Sequence, residues 1–308
     1  PASRWYDGDA FARDGIITVV ISYRIGFDGF GLIDSAPTNR GLRDQIAALE
    51  WVRDEIHAFG GDPSRVTVAG QSAGGGSVLA LMTSPAASGL FHGAMALSPA
   101  IGAVSRQDAG RFADRVAILA GVTADRDGFA SVSEERLLAV QKAAAKPERG
   151  RALASLTALL DGGMPLGPVI DGDVLPRHPI GALAGGTSAA IPLVVGATDD
   201  EVTALTGKYR AVLRLVPVPL ALAVLGLGRS RRRAYLARTP RRGAAAVLGG
   251  FATDRVFRAT VLRAARARDA AGSGRRTGSR TWIYRFAWAS PVPSIGVACH
   301  CLDVPFWF

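Results

Sequence analysis

The segment Gly70-Gln71-Ser72-Ala73-Gly74 has the residue types and spacing that nucleophilic catalysis needs. It fits the pattern G-x-S-x-G, in which a serine lies on a sharp turn between a strand and a helix. Small flanking residues let the strand and the helix approach, and the serine hydroxyl is left exposed. The backbone N–H of Ala73 points into the same space, where it could bind an oxyanion. We predict that Ser72 is a nucleophile; the alternative is a tight structural turn.

A serine hydroxyl is a poor nucleophile at neutral pH and needs a base that an acid holds in place. In this arrangement the chain order is serine, then carboxylate, then histidine. His57 precedes the serine, His92 follows it by only one βα unit, and His178 lies between prolines ahead of a later strand. His300 follows the last strand in the sequence, in a loop from which its imidazole could reach Ser72.

Two other interpretations of His300 stay open at this point. It could be a buried polar residue, or it could bind a metal together with Cys299 and Cys301. A C-H-C run without a second ligand cluster is a weak metal signal. The sequence therefore favours no metal and no organic cofactor.

The acid is ambiguous from spacing alone. Asp199, Asp200 and Glu201 are adjacent and follow the apolar run IPLVV. A charge run of this kind is usually a solvated helix start, and that interpretation suits Asp199 and Asp200.

The elements around the serine predict a doubly wound α/β fold, because strands and helices alternate along the chain. The predicted strands before and around the serine are Ile16–Tyr23, Arg65–Ala69 and Ala94–Leu97. The first of these is predicted to be a buried parallel strand. Two helices are predicted in this part of the chain. The first begins at Arg43, and the second spans Gly76–Met82. The expected sheet is mostly parallel and flanked by helices.

The second half of the chain is more helical. Arg106–Leu160 and Arg210–Ser273 read as helix, whereas Ile191–Val195 and Thr281–Ala287 read as strands. We expect one catalytic domain over residues 1–308, with a helical insertion over 202–280 before the last strand. The insertion contains an arginine cluster: Arg229, Arg231, Arg232, Arg233, Arg238, Arg241 and Arg242.

Composition excludes several classes of protein. With 308 residues, 48% hydrophobic and 20% charged, the chain can bury a core and is not disordered. Only two cysteines are present, which excludes a disulfide scaffold. Only 3 of the 36 basic residues are lysine, which indicates coding bias rather than a nucleic-acid surface. We expect no nucleic-acid partner.

No membrane span is expected, since the longest apolar run, Leu215–Gly228, is short and contains two prolines. It reads as a buried or cap-forming helix, with a membrane-surface helix as the alternative. No signal peptide is visible after Pro1. With the free cysteines, this favours the cytoplasm.

The chain resembles the type B carboxylesterases, a family that includes para-nitrobenzyl esterases and cholinesterases. The matching stretches occur in family order, and the segment FGGDP to GQSAGG is the most specific of them. The stretches are WYDGDAFARDGIITVVISYRIGFDGF, GLRDQIAALEWVRDEIHAFGGDPSRVTVAGQSAGG, PVIDGDVLP, VGATDDE and ACHCLDVPFWF.

The resemblance implies an α/β-hydrolase fold and hydrolysis of small-molecule carboxylic esters through an acyl-enzyme. It implies Ser72 as the nucleophile, Glu201 as the acid and His300 as the base. Glu201 is implied because the family acid is the glutamate of a G-x-x-x-x-E loop. Ser98 matches a serine that lies near the triad in relatives, which implies a supporting role.

The sequence departs from the family pattern in three ways. It has no H-G-G loop ahead of its W-Y-D-G segment, it ends eight residues after His300, and Val202 replaces a glycine. We therefore expect a fragment with half an oxyanion hole. The alternatives are a non-catalytic interaction protein and an inactive truncated product. Phe306, Trp307 and Phe308 could line an acyl pocket, although core packing is the more usual role of such aromatics.

Overall fold

The computed structural model describes residues 4–147, 150, 152–161, 164–239, 243–272 and 280–307. Strands in these ranges form a four-stranded parallel sheet and a small two-stranded one. The order in the larger sheet is β1-β2-β5-β6. In chain order the strands are β1 (Thr67–Gln71), β2 (Gly93–Leu97), β3 (Val104–Ser105), β4 (Val169–Ile170), β5 (Leu193–Thr198) and β6 (Thr281–Phe286).

Helices surround the larger sheet and fill the segment between β5 and β6. In the first half they are α1 (Asp9–Arg13), α2 (Gly26–Phe30), α3 (Arg40–Glu55), α4 (Ala73–Leu81), α5 (Arg106–Ala120), α6 (Arg126–Ala130), α7 (Glu134–Ala144) and α8 (Ala152–Leu160). In the second half they are α9 (Pro179–Ala184), α10 (Thr203–Gly207), α11 (Arg210–Leu213), α12 (Val218–Val224), α13 (Arg229–Ala237), α14 (Ala244–Thr253) and α15 (Ala259–Gly272). A π-helical turn, Asp254–Arg258, joins α14 to α15.

The main core lies at the two central strands. β2 and β5 have almost continuous apolar sequences, as expected for strands of a parallel sheet that is covered on both faces. Side chains of α3, α4 and α15 pack in the same cluster, among them Leu42, Leu79 and Ala264, which are all fully buried. Helical periodicity identifies the buried side of α3, where Ile46, Leu49 and Val52 face the core, whereas α4 is buried on all sides from Gly75 to Leu81.

Arg268 on α15 is a buried residue that the sequence pattern does not predict. It is only 2% exposed and donates hydrogen bonds to Ser188 O, Ile191 O and Thr281 Oγ1. These contacts hold α15 against the segments that lead into β5 and β6. Burial lowers the pKa of its guanidinium from the ordinary value.

The predicted strand at Ile16–Tyr23 is wrong. This segment forms no strand, and Ile16, Ile17, Val19 and Val20 are between 40% and 58% exposed. A β-branched apolar run has a high strand propensity, but propensity supplies no hydrogen-bonding partner. In the part of the chain that is described, the sheet ends at β1, and this run adds no ladder to it.

The other predicted strands and helices are confirmed with shifts of a few residues at their ends. Where it is described, the region between β5 and β6 consists of the helices α10 to α15, joined by turns and by the π-helical segment. Parts of the predicted insertion, including Arg241, Arg242 and Ser273, lie outside the described residues.

Candidate active site

Ser72 lies at the turn between β1 and α4, with a backbone conformation of φ 58° and ψ −117°. A positive φ is rare for a side chain other than glycine and marks a strained turn. Serine at the N-terminus of a helix usually caps it with its hydroxyl, but Ser72 makes no such hydrogen bond. Its backbone instead bonds to the next strand, with Ser72 N donating to Leu97 O at 2.9 Å. The strained turn is thus held by the sheet, and the Ser72 hydroxyl does not cap the helix.

Glycines allow this turn to be tight. A Cβ on Gly70 would lie 2.4 Å from Gly74 O, and one on Gly76 would lie 2.2 Å from Ala100 O. Both distances are too short for real atoms, so these two positions need glycine for α4 to approach the ends of β1 and β2. This is the steric reason for the small residues around Ser72.

Glu201 follows β5 at the same carboxyl edge of the sheet. Its side chain is fully buried and accepts hydrogen bonds from Thr198 N at 2.7 Å and from Ser98 Oγ at 2.6 Å. Its other oxygen, Oε2, bonds with Nδ1 of His300. Ser98 follows β2 and is itself fully buried. The structure therefore brings Glu201, His300 and Ser98 together.

His300 lies in the loop after β6 and is partly buried. Burial by itself lowers the pKa of its imidazole, but contacts with Cys301 and the adjacent Glu201 carboxylate raise it by more. The net effect keeps the pKa of His300 above its ordinary value. The ring also lies against Phe257, with ring centroids 5.0 Å apart.

The backbone joins the two loops that carry Glu201 and His300. Asp200 N donates to Ala298 O at 2.9 Å, and Asp199 N donates to Phe286 O at 2.9 Å. The glutamate and the histidine are thus held by main-chain bonds as well as by their own side-chain contact.

The interpretation of Asp199 as a solvated residue is wrong. Its side chain bonds with Arg285 on β6 at 2.6 and 2.8 Å, and Arg258 also lies beside it. These arginines, Arg285 foremost, lower the pKa of its carboxyl group. Both arginines are distant from Asp199 along the chain, so the local sequence could not predict this ion pair.

A second buried acid lies in the His300 loop, and sequence reasoning missed it. Asp303 is fully buried and accepts a hydrogen bond of 2.6 Å from the hydroxyl of Tyr284 on β6. Burial raises the pKa of Asp303, and its second oxygen has no hydrogen-bond partner among the described residues. The contact ties the loop back to the strand that precedes it. An acid three residues after the histidine was the available signal.

Gln71, beside the serine, also contacts His300. Its side-chain nitrogen is 3.2 Å from Nε2 and 3.5 Å from Nδ1. An atom on the axis of the Nε2 lone pair would lie much farther from Nδ1 than from Nε2. The amide therefore lies beside the ring, off the axis along which Nε2 would accept a proton.

Among the described residues, hydrogen bonds connect Glu201 with His300 but do not extend to the serine. In the described part of the chain no hydrogen bond links Ser72 Oγ to His300. Catalytic hydrogen bonds are often long without substrate and shorten when it binds. Ala73, whose N–H is the expected oxyanion donor, is exposed.

The remaining histidines lie elsewhere. His92 directly precedes β2, at the opposite edge of the sheet from Ser72, and His178 caps α9 by accepting from Ile180 N. His57 lies in the 3-10 turn that follows α3. No cluster of three or more possible metal ligands occurs within the described ranges.

The aromatic residues after His300 do not form a core. Phe306 is 62% exposed and packs against Phe286 and Trp288, and Trp307 packs on Tyr284. Phe308 lies outside the described residues. A cleft of about 750 Å³ opens between the segment that precedes β2 and α9, away from Ser72.

Comparison with known proteins decides the family. A family profile, described as the carboxylesterase family, matches residues 1–213. The chain belongs to the carboxylesterase family. The para-nitrobenzyl esterase of Bacillus subtilis (strain 168) is 33% identical over 98% of this chain and 59% of its own length. Human cocaine esterase is 35% identical over 64% of this chain and 34% of its own.

Solved carboxylesterase structures have the same α/β-hydrolase fold. A carboxylesterase of Geobacillus stearothermophilus superposes with a TM-score of 0.77 at 34% identity, over 99% of this chain and 62% of its own. A para-nitrobenzyl esterase gives 0.75 at 30% identity. The chain thus spans about three fifths of the length of these bacterial relatives.

Proposed function

We propose that this carboxylesterase-family chain hydrolyses small-molecule carboxylic esters through an acyl-enzyme on Ser72. Glu201, His300 and Ala73 complete the proposed machinery. The observation that carries the proposal is the hydrogen bond between His300 Nδ1 and the buried Glu201 carboxylate, at the sheet edge where Ser72 lies on its strained turn. The names of the relatives support the ester as the substrate class.

The proposed reaction begins with attack of Ser72 Oγ on the ester carbonyl carbon. His300 Nε2 takes the hydroxyl proton, and the N–H of Ala73 donates to the developing oxyanion. The tetrahedral intermediate collapses as His300 gives the proton to the leaving alcohol. Water then attacks the carbonyl carbon of the acyl-enzyme and loses a proton to His300. Collapse of this second intermediate breaks the bond to Ser72 Oγ, His300 returns the proton to that oxygen, and the acid leaves. The cycle needs only water, these side chains and the backbone N–H of Ala73.

Glu201 has two tasks in this scheme. Its bond to Nδ1 fixes the tautomer that leaves Nε2 free to accept a proton, and its charge stabilises the imidazolium. Ser98 and Thr198 N saturate the other carboxylate oxygen and so fix its orientation. We assign Ser98 a positioning role, because it touches the acid and not the reacting atoms.

Residues 202–280 form, in this proposal, a helical insertion within one catalytic domain. The insertion begins directly after Glu201, and its π-turn carries Phe257, which packs on His300. The insertion therefore helps to hold the proposed base.

The test is hydrolysis of a short-chain para-nitrophenyl ester by the 308-residue chain. Ser72→Ala should abolish enzymatic turnover, since no other nucleophile is placed at the turn. Ser88→Ala, on an exposed loop, is the matched control and should keep wild-type turnover. Near-normal hydrolysis by Ser72→Ala, or no hydrolysis by the folded wild type, would contradict the proposal.

A further inference from the structure

One segment carries the whole net charge of the chain. Residues 202–253 contain ten lysines and arginines and no aspartate or glutamate, whereas the other 256 residues contain 26 basic and 26 acidic residues. Coding bias explains arginine in place of lysine, but it does not remove carboxylates from one segment. The basic residues are Lys208, Arg210, Arg214, Arg229, Arg231, Arg232, Arg233, Arg238, Arg241 and Arg242, of which Arg241 and Arg242 lie outside the described residues.

The same segment exposes large apolar side chains. Six of them are between 48% and 78% exposed: Leu205, Tyr209, Val212, Leu215, Leu220 and Val224. Single exposed apolar residues are ordinary, but six within 20 residues of one segment call for an explanation. We name residues 205–238 the basic-apolar surface.

Packing explains why these side chains face solvent. α12 and α13 cover α14 with their inner residues, so that Leu222 and Leu225 are buried with Val247 and Phe251. Leu220 and Val224 lie four residues apart on the outer side of α12. The core is already filled on the inner side, and the outer apolar residues contribute nothing to it.

Exposed arginines lie along α13. Arg229 and Arg233 lie four residues apart and are exposed, and Arg231 is exposed as well. With no carboxylate in the segment, the charge of these side chains is not neutralised locally. The surface therefore combines positive charge with exposed apolar side chains.

We propose that the basic-apolar surface docks on a phospholipid bilayer that contains anionic headgroups. Guanidinium groups match the geometry of phosphate and attract the negative surface, while apolar side chains can enter the layer below the headgroups. A nucleic acid would pair with the arginines but leave most of the apolar side chains in water. The inference does not depend on the proposed esterase function. No helix in the described part of the chain could span a membrane, so docking is at the surface.

The test is flotation of the 308-residue chain with two kinds of vesicle. One contains phosphatidylcholine alone, and the other contains phosphatidylcholine and phosphatidylserine in equal parts. Wild type should float with the anionic vesicles at low salt and be released at high salt, where charges are screened. It should remain largely unbound with phosphatidylcholine alone.

Two variants separate the contributions of charge and apolar contact. Arg229→Gln, Arg231→Gln and Arg233→Gln together should weaken binding about 100-fold, because each basic residue near an anionic surface contributes about fivefold. Val212→Ser, Leu215→Ser and Leu220→Ser together should weaken it at least about tenfold at unchanged charge. Circular dichroism checks that each variant is folded.

A matched control removes the same charge elsewhere. Arg13→Gln, Arg106→Gln and Arg126→Gln alter exposed arginines outside the surface and should bind like wild type. Equal loss in this control, no binding by wild type, or unchanged binding by the serine variant would overturn the proposal. Equally tight binding of duplex DNA by wild type and the serine variant, with no binding of anionic vesicles by wild type, would also overturn it and assign the surface to nucleic acid.

Discussion

Three hydrogen-bond donors converge on the buried carboxylate of Glu201, and one of them is His300. Among the described residues, the Asp200 carboxylate accepts from Thr203 Oγ1 at 3.1 Å, and the Asp199 carboxylate accepts from Arg285 and Arg258 rather than from His300. At the residue scale, spacing in the sequence does not choose among these three acids unless the family resemblance is used. The hydrogen-bond geometry does distinguish them. The decisive partners, Ser98 and His300, are about 100 residues distant along the chain.

Glu201→Gln should reduce kcat for ester hydrolysis by a factor on the order of 10³–10⁴, because an amide cannot stabilise the imidazolium of His300. Asp200→Asn should reduce it by less than about tenfold, since it alters one partly exposed contact. Steady-state kinetics on both variants decides the comparison. A larger loss in Asp200→Asn would show that the acid is wrongly assigned.

The pH dependence follows from the raised pKa of His300. The neutral imidazole is the base, so kcat/KM should rise with pH to a midpoint above the ordinary histidine pKa of about 6.5. Glu201→Gln should move this midpoint down, because the charge that favours the imidazolium is gone. A midpoint that stays unchanged in Glu201→Gln would contradict the assigned pair.

The same pKa shift affects folding stability. A pKa raised in the folded state stabilises the protein fully below about pH 6.5, and this stabilisation is lost as pH rises through the folded pKa. Urea unfolding of wild type and His300→Gln at several pH values measures it. The difference between them in unfolding free energy should shrink as pH rises; a constant difference would exclude the coupling.

At the element scale, the sequence predicts the sheet strands and helices well where periodicity and partners agree. The turn at Ser72 and the strands β1, β2, β5 and β6 follow from local patterns and from the G-x-S-x-G spacing. Ile16–Tyr23 shows the limit, because strand propensity is local whereas a ladder needs a neighbouring strand. The contacts of Gln71 and Arg268 could not be predicted, since their partners come from distant segments. Asp303, by contrast, lies only three residues after His300 in the sequence.

Arg268 gives the element-scale prediction. Arg268→Ala removes three hydrogen bonds that hold α15 to the starts of β5 and β6. Ile191 O loses its partner, whereas Ser188 O keeps the bond from Ile191 N. We expect a loss of about 2–5 kcal/mol in the free energy of unfolding. Arg266→Ala, on the exposed side of the same helix, is the control and should change it by less than about 0.5 kcal/mol. Equal urea midpoints for the two variants would contradict the structural role.

At the scale of the whole molecule, the central sheet ends in unpaired strands within the described residues. β6 pairs only with β5, and its side chains Trp282 and Ile283 are about half exposed. A free strand edge with apolar side chains is a site for association between chains. The relatives are longer than this chain. Self-association through the edge of β6 should therefore be measured with the 308-residue chain and not inferred from those relatives.

Ile283→Lys should reduce concentration-dependent association, measured by light scattering, because a charge on an edge strand opposes pairing. The free energy of unfolding should change by less than about 0.5 kcal/mol, since Ile283 is 54% exposed. Leu262→Lys, at an exposed position on α15, is the matched control and should leave association unchanged. If the two variants associated to the same extent, the edge of β6 would not be the site of association.

The central claim is that Ser72 is a nucleophile activated by His300 and Glu201. Labelling with a fluorophosphonate ester, followed by peptide mass spectrometry, tests it most directly, because the reagent reports the activated hydroxyl without depending on the natural substrate. We expect a single label on Ser72, its absence in Ser72→Ala, and labelling at least about 100-fold slower in His300→Gln and Glu201→Gln. A label on another residue, or labelling of His300→Gln at the wild-type rate, would contradict it.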